Sequence, residues 1–298
     1  MKLALKIDAA SYRGCLVGVP RLVEALRQAG ARASFCFNLG PDRGGRRLPA
    51  LLASSRRGAS ALGRHGLAGL FHGTLLPAPD IGRRCAGLLR GVRDAGHECG
   101  VLGWDAATWQ RRVGKAAPAW CERQMRLAIE RHESLFGAPP RLHAAPGWQM
   151  SPHALRLTQR LGYGYASDTR GSHPFIPVWH AEIVLCPQLP TTLPTFDELL
   201  GRDGCNAANV HERLLALTEM PPPSGHVFTA PAELAGQALL PAFSRLLEGW
   251  QRQGYRLVSL GELFDSLDAS RLPRHELDCG PLAGHRSHLL QQGAEFLA

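Results

Sequence analysis

The sequence predicts an α/β protein whose parallel strands close, or nearly close, into a barrel. Three observations carry this. Apolar runs of strand length recur about eight times along 298 residues. Segments with apolar residues at i, i+3, i+4 and i+7 fall between them. Gly and Pro mark the joins, so the chain alternates strand, helix and turn in the manner of a parallel sheet. A single barrel suits this length, and 45% apolar against 20% charged residues gives it an ordinary globular core.

The elements follow in order. Leu3 to Asp8 is a short apolar run and reads as a buried strand. Pro20 then opens a helix that keeps Val19, Leu22, Val23 and Leu26 on one face, and Gly30 stops it. Residues 32–39 form the second strand, ended by Gly40-Pro41-Asp42. Residues 97–104 are the third. Residues 119–136 carry Met125, Ile129, His132 and Phe136 down one helical face, closed by Gly137. Residues 141–147, 163–167, 182–186, 226–230 and 255–260 read as further strands. The helix between the last two shows Phe243, Leu246, Leu247 and Trp250.

Composition excludes several classes. No apolar run approaches the ~20 residues that span a bilayer. Lys6 and Asp8 interrupt the start before a secretory segment could form, so a cytoplasmic location is expected. None of the eight cysteines is at CxxC spacing, which argues against a zinc cluster and leaves them as incidental thiols. Lys and Arg total 34 against 25 Asp and Glu. Ten of the arginines lie between Arg43 and Arg93, where Asp80 is the single acid. That stretch could dock on something anionic, but the arginines lie among leucines and no recognition-helix pattern accompanies them, so no nucleic acid partner is expected.

In such barrels chemistry sits at the C-terminal ends of the strands. There the sequence places Asp8, Asp105, Trp148, Asp168 with Arg170, and Glu233. Asp8, Asp168 and Glu233 could converge as a carboxylate cluster. Equally, each could cap a helix or pair with an arginine, and spacing alone does not separate these readings.

Longer motifs add to this. IDAASYRGCLVGVPRLVEAL, AGHECGVLGWDAATWQ, AAPGWQ, YASDTRG, LPTTLPTFDELLGRD and GYRLVSLGELF resemble, essentially end to end, the 4-deoxy-4-formamido-L-arabinose-phosphoundecaprenol deformylases. These are a branch of the NodB-type polysaccharide deacetylases. The resemblance implies a distorted parallel (β/α) barrel of the polysaccharide deacetylase (NodB homology) type over residues 1–268. It implies removal of a formyl group from aminoarabinose carried on undecaprenyl phosphate, in the lipid A modification that gives polymyxin resistance. The chemistry implied is metal-assisted amide hydrolysis, with a carboxylate base and a histidine acid.

Carried over position by position, the reacting centre departs from the pattern. The base survives as Asp8. The three metal-ligand positions are Ala10, Leu102 and Ala106, and the acid position is Pro231. Ser167, Asp168, Arg170 and Gly171 keep the S-D-x-R-G motif, and Gln149 replaces an arginine beside Trp148. Trp148, Asp168, Arg170 and Glu233 are the expected substrate contacts. Alanine and leucine offer a metal no lone pair and proline offers no proton, so no cofactor is expected and the chain reads as a deformylase scaffold with its chemistry dismantled. His97, Glu98, Asp105, His143 and His226 are the candidates for a relocated site. Of these, His97 and His226 fall at strand beginnings, on the far rim.

Residues 43–93 occupy the place of a family insertion and mix arginines with leucines from Leu48 to Leu76. They suit a segment lying on the inner membrane surface, with two helices packed on the barrel as the alternative. Residues 269–298 are expected as a C-terminal tail.

Overall fold

The computed structural model describes residues 1–47, 71–282 and 288–297. Leu48, Leu51, Leu52, Leu62, Leu67 and Leu70 of the arginine-leucine stretch lie outside the described residues.

The chain runs β1 (Lys2–Ala9), α1 (Val19–Gln28), β2 (Ser34–Asn38), α2 (Ile81–Arg84), α3 (Ala86–Asp94), β3 (Glu98–Gly103), α4 (Ala106–Arg112), α5 (Pro118–Phe136), β4 (Leu142–His143), α6 (Pro152–Arg160) and β5 (Tyr165–Ala166). It continues through β6 (Ile176–Trp179), β7 (Glu182–Ile183), α7 (Phe196–Leu199), α8 (Val210–Ala216), β8 (His226–Pro231), α9 (Ala232–Ala235), α10 (Leu240–Arg252), β9 (Arg256–Val258), α11 (Leu260–Phe264), β10 (Arg274–Gly280) and β11 (Leu289–Glu295). Strands β5-β4-β3-β2-β1-β8 form a sheet in that order, with β9 also paired to β1, and every pairing in it is parallel. Here the expected α/β barrel is present.

Period-two alternation sorts β1 into two faces. Leu3, Leu5, Ile7 and Ala9 join the large core between sheet and helices, while Ala4 joins a smaller core inside the barrel with Cys36, Leu102, Leu142, Tyr165 and Val227. Lys6 and Asp8 share the inward face. The helices supply the apolar stripes that the sequence predicts: Phe243, Leu246, Leu247 and Trp250 of α10 are all buried. Gly137, at φ 79°, ends α5 in the left-handed region.

Among the described residues no regular strand joins β5 to β8. The extended segment 187–193 spans the gap. Ala166 N–H donates to Pro187 O at 2.8 Å and Leu189 N–H to Ala166 O at 2.8 Å. On the other side Thr192 N–H donates to Val227 O at 3.0 Å. The barrel is therefore closed by irregular chain, which is its distortion.

One strand expectation is corrected. Residues 182–186 do not enter the barrel: β7 pairs antiparallel with β6, in a second sheet of order β11-β10-β6-β7. Residues 269–298 supply β10 and β11 to this sheet, where β10 runs parallel to β6. Among the described residues, no helix is long and apolar enough to cross a membrane.

Candidate functional site

At the C-terminal rim of the barrel a cleft of about 230 Å³ is lined by Asp8, Ala10, Leu102, Ala106, Trp148, Pro231 and Glu233, with Gln110, Thr195 and Asp197 at its sides. The parallel register creates this meeting: Asp8 of β1 is the partner of Pro231 on β8. Leu102 arrives from β3 and Ala106 from the first turn of α4, which Asp105 caps by accepting from Thr108 N–H at 2.9 Å.

Asp8 sits over a buried cation. The Lys6 ammonium is fully enclosed, 3.7 Å from Asp8 Oδ2, donates to Ser167 O at 3.0 Å and lies 5.6 Å from the centre of the Trp148 ring. Burial pushes the Asp8 carboxyl up from its ordinary value, and the Lys6 charge opposes that rise. Asp8 Oδ1 is buried with no hydrogen-bond partner. Lys6 was not singled out in the sequence, although alternation with Asp8 along β1 places both on one face.

Glu233 lines the cleft but is occupied. Its Oε1 accepts from Ala10 N–H at 3.0 Å, Ser11 N–H at 2.8 Å and Ser11 Oγ–H at 2.7 Å, so it staples the loop after β1. A Cβ on Gly14 would come within 2.3 Å of that same oxygen, which explains the glycine there. Burial raises the Glu233 carboxyl, against the hydrogen bonds from Ser11.

Trp148 follows Gly147 with φ 53° and donates through Nε1 to Thr191 Oγ1 at 3.2 Å, which turns its ring into the cleft. Arg170 packs 5.1 Å from the centre of the same ring. Arg170 does not line the cleft: it pairs with Glu198 at 2.5 Å, donates to Leu193 O at 3.0 Å, and borders a separate groove with Leu199, Arg202 and Arg213. Asp168 is fully buried and accepts from His143 Nδ1 at 2.7 Å. Of the three carboxylates that could have converged, Asp8 and Glu233 meet at the cleft and Asp168 lies outside its lining.

The donor set does not fit a divalent ion. Side chains at three ligand positions end in methyl groups, the remaining carboxylate at the base position faces an ammonium, and Glu233 is spent on N–H and O–H donors. The relocation candidates do not gather at the cleft. Asp105 pairs with Arg43 at 2.5 Å, and His143 pairs with Asp168. Glu98 accepts from Ser34, Tyr165 and Gly261 at the opposite rim, where His97 and His226 also lie. Among the described residues no group of three or more His, Cys, Asp or Glu is placed to hold a metal.

The described ends of the insertion meet beside this cleft. Gly45 N–H donates to His72 O at 3.1 Å, and Asp42 accepts from Tyr12 N–H at 2.9 Å, next to the stapled loop.

Sheet order, seam and rim define a protein of the polysaccharide deacetylase fold. A solved protein assigned as a polysaccharide deacetylase, from Mycobacterium smegmatis, superposes with TM-score 0.64 over 94% of each chain at 16% identity. The chain belongs to the 4-deoxy-4-formamido-L-arabinose-phosphoundecaprenol deformylase (ArnD) family. It is 34% identical over 90% of its length to a Shewanella sediminis protein named as a probable deformylase of that family, covering 87% of that relative. A Wigglesworthia glossinidia brevipalpis protein of the same name is 26% identical over 94% of this chain and 98% of its own length. No family model matches the chain.

Proposed function

We propose that this chain takes the 4-formamido-arabinose head of an undecaprenyl-phosphate lipid into the Asp8 cleft and does not hydrolyse it by the family's metal-assisted route. The observation that carries this reading is the coincidence of Ala10, Leu102, Ala106 and Pro231 on one cleft with Asp8. Every position that would have supplied a ligand or an acid lines the same small volume, and none carries a suitable atom. What remains can bind. The Trp148 indole borders the cleft as an apolar wall, and Thr195, Asp197 and Gln110 offer polar partners for hydroxyls. Binding without transition-state stabilisation is recognition without rate.

The place of action in this reading is the cytoplasmic face of the inner membrane, where the lipid's sugar projects. The turn at residues 71–76 supports it, with Leu75 80% and Leu76 42% exposed beside the basic insertion.

A second reading is a residual hydrolase with Asp8 as base, favoured by the unpartnered Asp8 Oδ1. One experiment separates the two. The formamido-arabinose lipid is titrated into wild type and Trp148→Ala, and formate release is followed in wild type and in the quadruple variant Ala10→Asp, Leu102→His, Ala106→His, Pro231→His with added cobalt. Wild type is expected to bind without releasing formate, Trp148→Ala to bind more weakly, and the quadruple variant to release formate. Formate from wild type establishes the second reading. No binding above Trp148→Ala ends the first.

A further inference from the structure

The Asp8 cleft is rich in acceptors and poor in free donors. Three carboxylates line it, Asp8, Asp197 and Glu233, and among its described lining residues none is Lys, Arg or His. The donors around it are mostly spent. Trp148 Nε1–H goes to Thr191 Oγ1 at 3.2 Å, and Thr195 Oγ–H goes to Asp197 Oδ1 at 3.0 Å. Ala10 N–H, Ser11 N–H and Ser11 Oγ–H all go to Glu233. Thr229 and Thr191 share a hydroxyl bond at 2.7 Å, and Pro231 has no N–H to give. Gln110 is the one side-chain amide in the lining. Charge points the same way. Arg43 is paired with Asp105 and Arg170 with Glu198, so neither brings an unbalanced positive charge to the opening. Lys6 offsets one carboxylate from inside the barrel, 3.7 Å from Asp8 Oδ2, and Asp8 Oδ1 is left buried without a partner. Glu233 is taken up by its three donors, so Asp8 and Asp197 set the character of the cleft.

Methyl groups and a proline ring stand where the family pattern places a metal and a histidine, so the positive charge is gone while the carboxylate of Asp8 stays. A formamide is neutral, and its carbonyl oxygen needs a donor and is repelled by a facing carboxylate. A primary amine on a sugar carbon is protonated at neutral pH and brings three N–H donors with a positive charge. Its hydrogen bonds to carboxylates are charge-assisted, and stronger than those between neutral groups. We infer that the cleft binds the deformylated lipid, whose sugar carries a primary ammonium at carbon 4, in preference to the formamide. This rests on the reading that the cleft takes the lipid's aminoarabinose head, and it names the form of that head the cleft selects. The ligand is then supplied by an amide hydrolysis carried out on another protein, in which water cleaves the C–N bond and leaves formate and the amine. The chain holds the product of that reaction rather than its substrate.

The test titrates the full chain, by calorimetry, with three arabinosyl prenyl phosphates that differ only at carbon 4: amine, formamide and hydroxyl. The amine form should bind about tenfold or more tighter than either of the others. Asp8→Asn and Asp197→Asn keep an acceptor oxygen and remove the charge, so each should bring that ratio toward one and change binding of the formamide form little. A ratio of affinities within one variant cancels any loss of folded protein, and Asp197→Asn, at a half-buried position, carries the test if Asp8→Asn does not fold. Formamide binding as tight as amine binding overturns the inference and leaves the cleft reading standing. Hydroxyl binding as tight as amine binding also overturns it, since shape alone would then select. A ratio unchanged in both variants overturns it by placing the selectivity elsewhere. Failure of all three lipids to bind ends the inference and the cleft reading together.

Discussion

Two carboxylates at opposite rims of this barrel are treated in opposite ways. At the N-terminal rim Glu98 accepts from Ser34 Oγ–H, Tyr165 OH and Gly261 N–H, and Ser34 Oγ in turn accepts from Leu260 N–H at 2.7 Å. Both Glu98 oxygens are used. At the C-terminal rim Asp8 keeps one buried oxygen without a partner, and alanine, leucine and proline surround it. A satisfied network rigidifies a fold, whereas an unsatisfied buried carboxylate costs stability and persists where a ligand has use for it. The Glu98 network ties β2, β3 and β5 to α11, whereas Asp8 Oδ1 is left without a partner beside an opening.

The largest effect expected from this contrast is on stability. Glu98→Ala removes the acceptor for three donors and should cost about 3 kcal/mol or more in urea unfolding, while Asp8→Asn, which keeps an acceptor oxygen beside Lys6, should cost only about 1 kcal/mol. Equal losses would show that Asp8 is as structural as Glu98, and the contrast would fail. Glu233 sharpens the comparison, since it lies on the near rim but behaves like the far one. Glu233→Ala should cost about 2 kcal/mol and also weaken binding of the formamido-arabinose lipid, because the loop bearing Ala10 loses its staple. Glu233→Gln keeps an acceptor oxygen and should cost less. A binding loss without any stability loss would make Glu233 a direct substrate contact.

The smallest effect is on pH dependence. Burial lowers the imidazole values of His97, beside Arg32, and of His226, both at the far rim. Their folded values lie below the unfolded value of about 6.5. Their contribution is therefore complete above that pH and is lost as pH falls through the folded values. Chemical denaturation between pH 7.5 and about 5 should show stability falling, and His97→Gln should flatten part of the fall. A slope unchanged in His97→Gln would assign the acid sensitivity elsewhere.

Much of this molecule was legible in its sequence, and the limits have physical causes. The strands β1, β2, β3, β8 and β9 and the helices α1, α5 and α10 announce themselves, because burying one stripe or a whole run writes a period into the chain. The cleft positions were legible through motif resemblance, and Asp8, Ala10, Leu102, Ala106, Trp148, Pro231 and Glu233 do line one opening. Partners distant in sequence were not. Neither the His143 contact that buries Asp168 nor the Glu198 pairing of Arg170 leaves a local mark. The second sheet was missed for the same reason. Its strands β6 and β10 are about a hundred residues apart, and β10 carries a bulge between His275 and Leu277 that breaks its alternation.

The seam of the barrel gives it a mechanical character of its own. A strand in the middle of a ladder can leave only by breaking a whole row of bonds at once. Segment 187–193 instead shares its main-chain bonds among residues 166–171, Phe175 and Val227, so no single continuous ladder runs along it. That segment carries Thr191, which holds the Trp148 indole, and Leu193, whose carbonyl holds Arg170. Any displacement of this stave would therefore carry a ring of the cleft wall and the guanidinium behind it together, which couples the seam of the barrel to the opening.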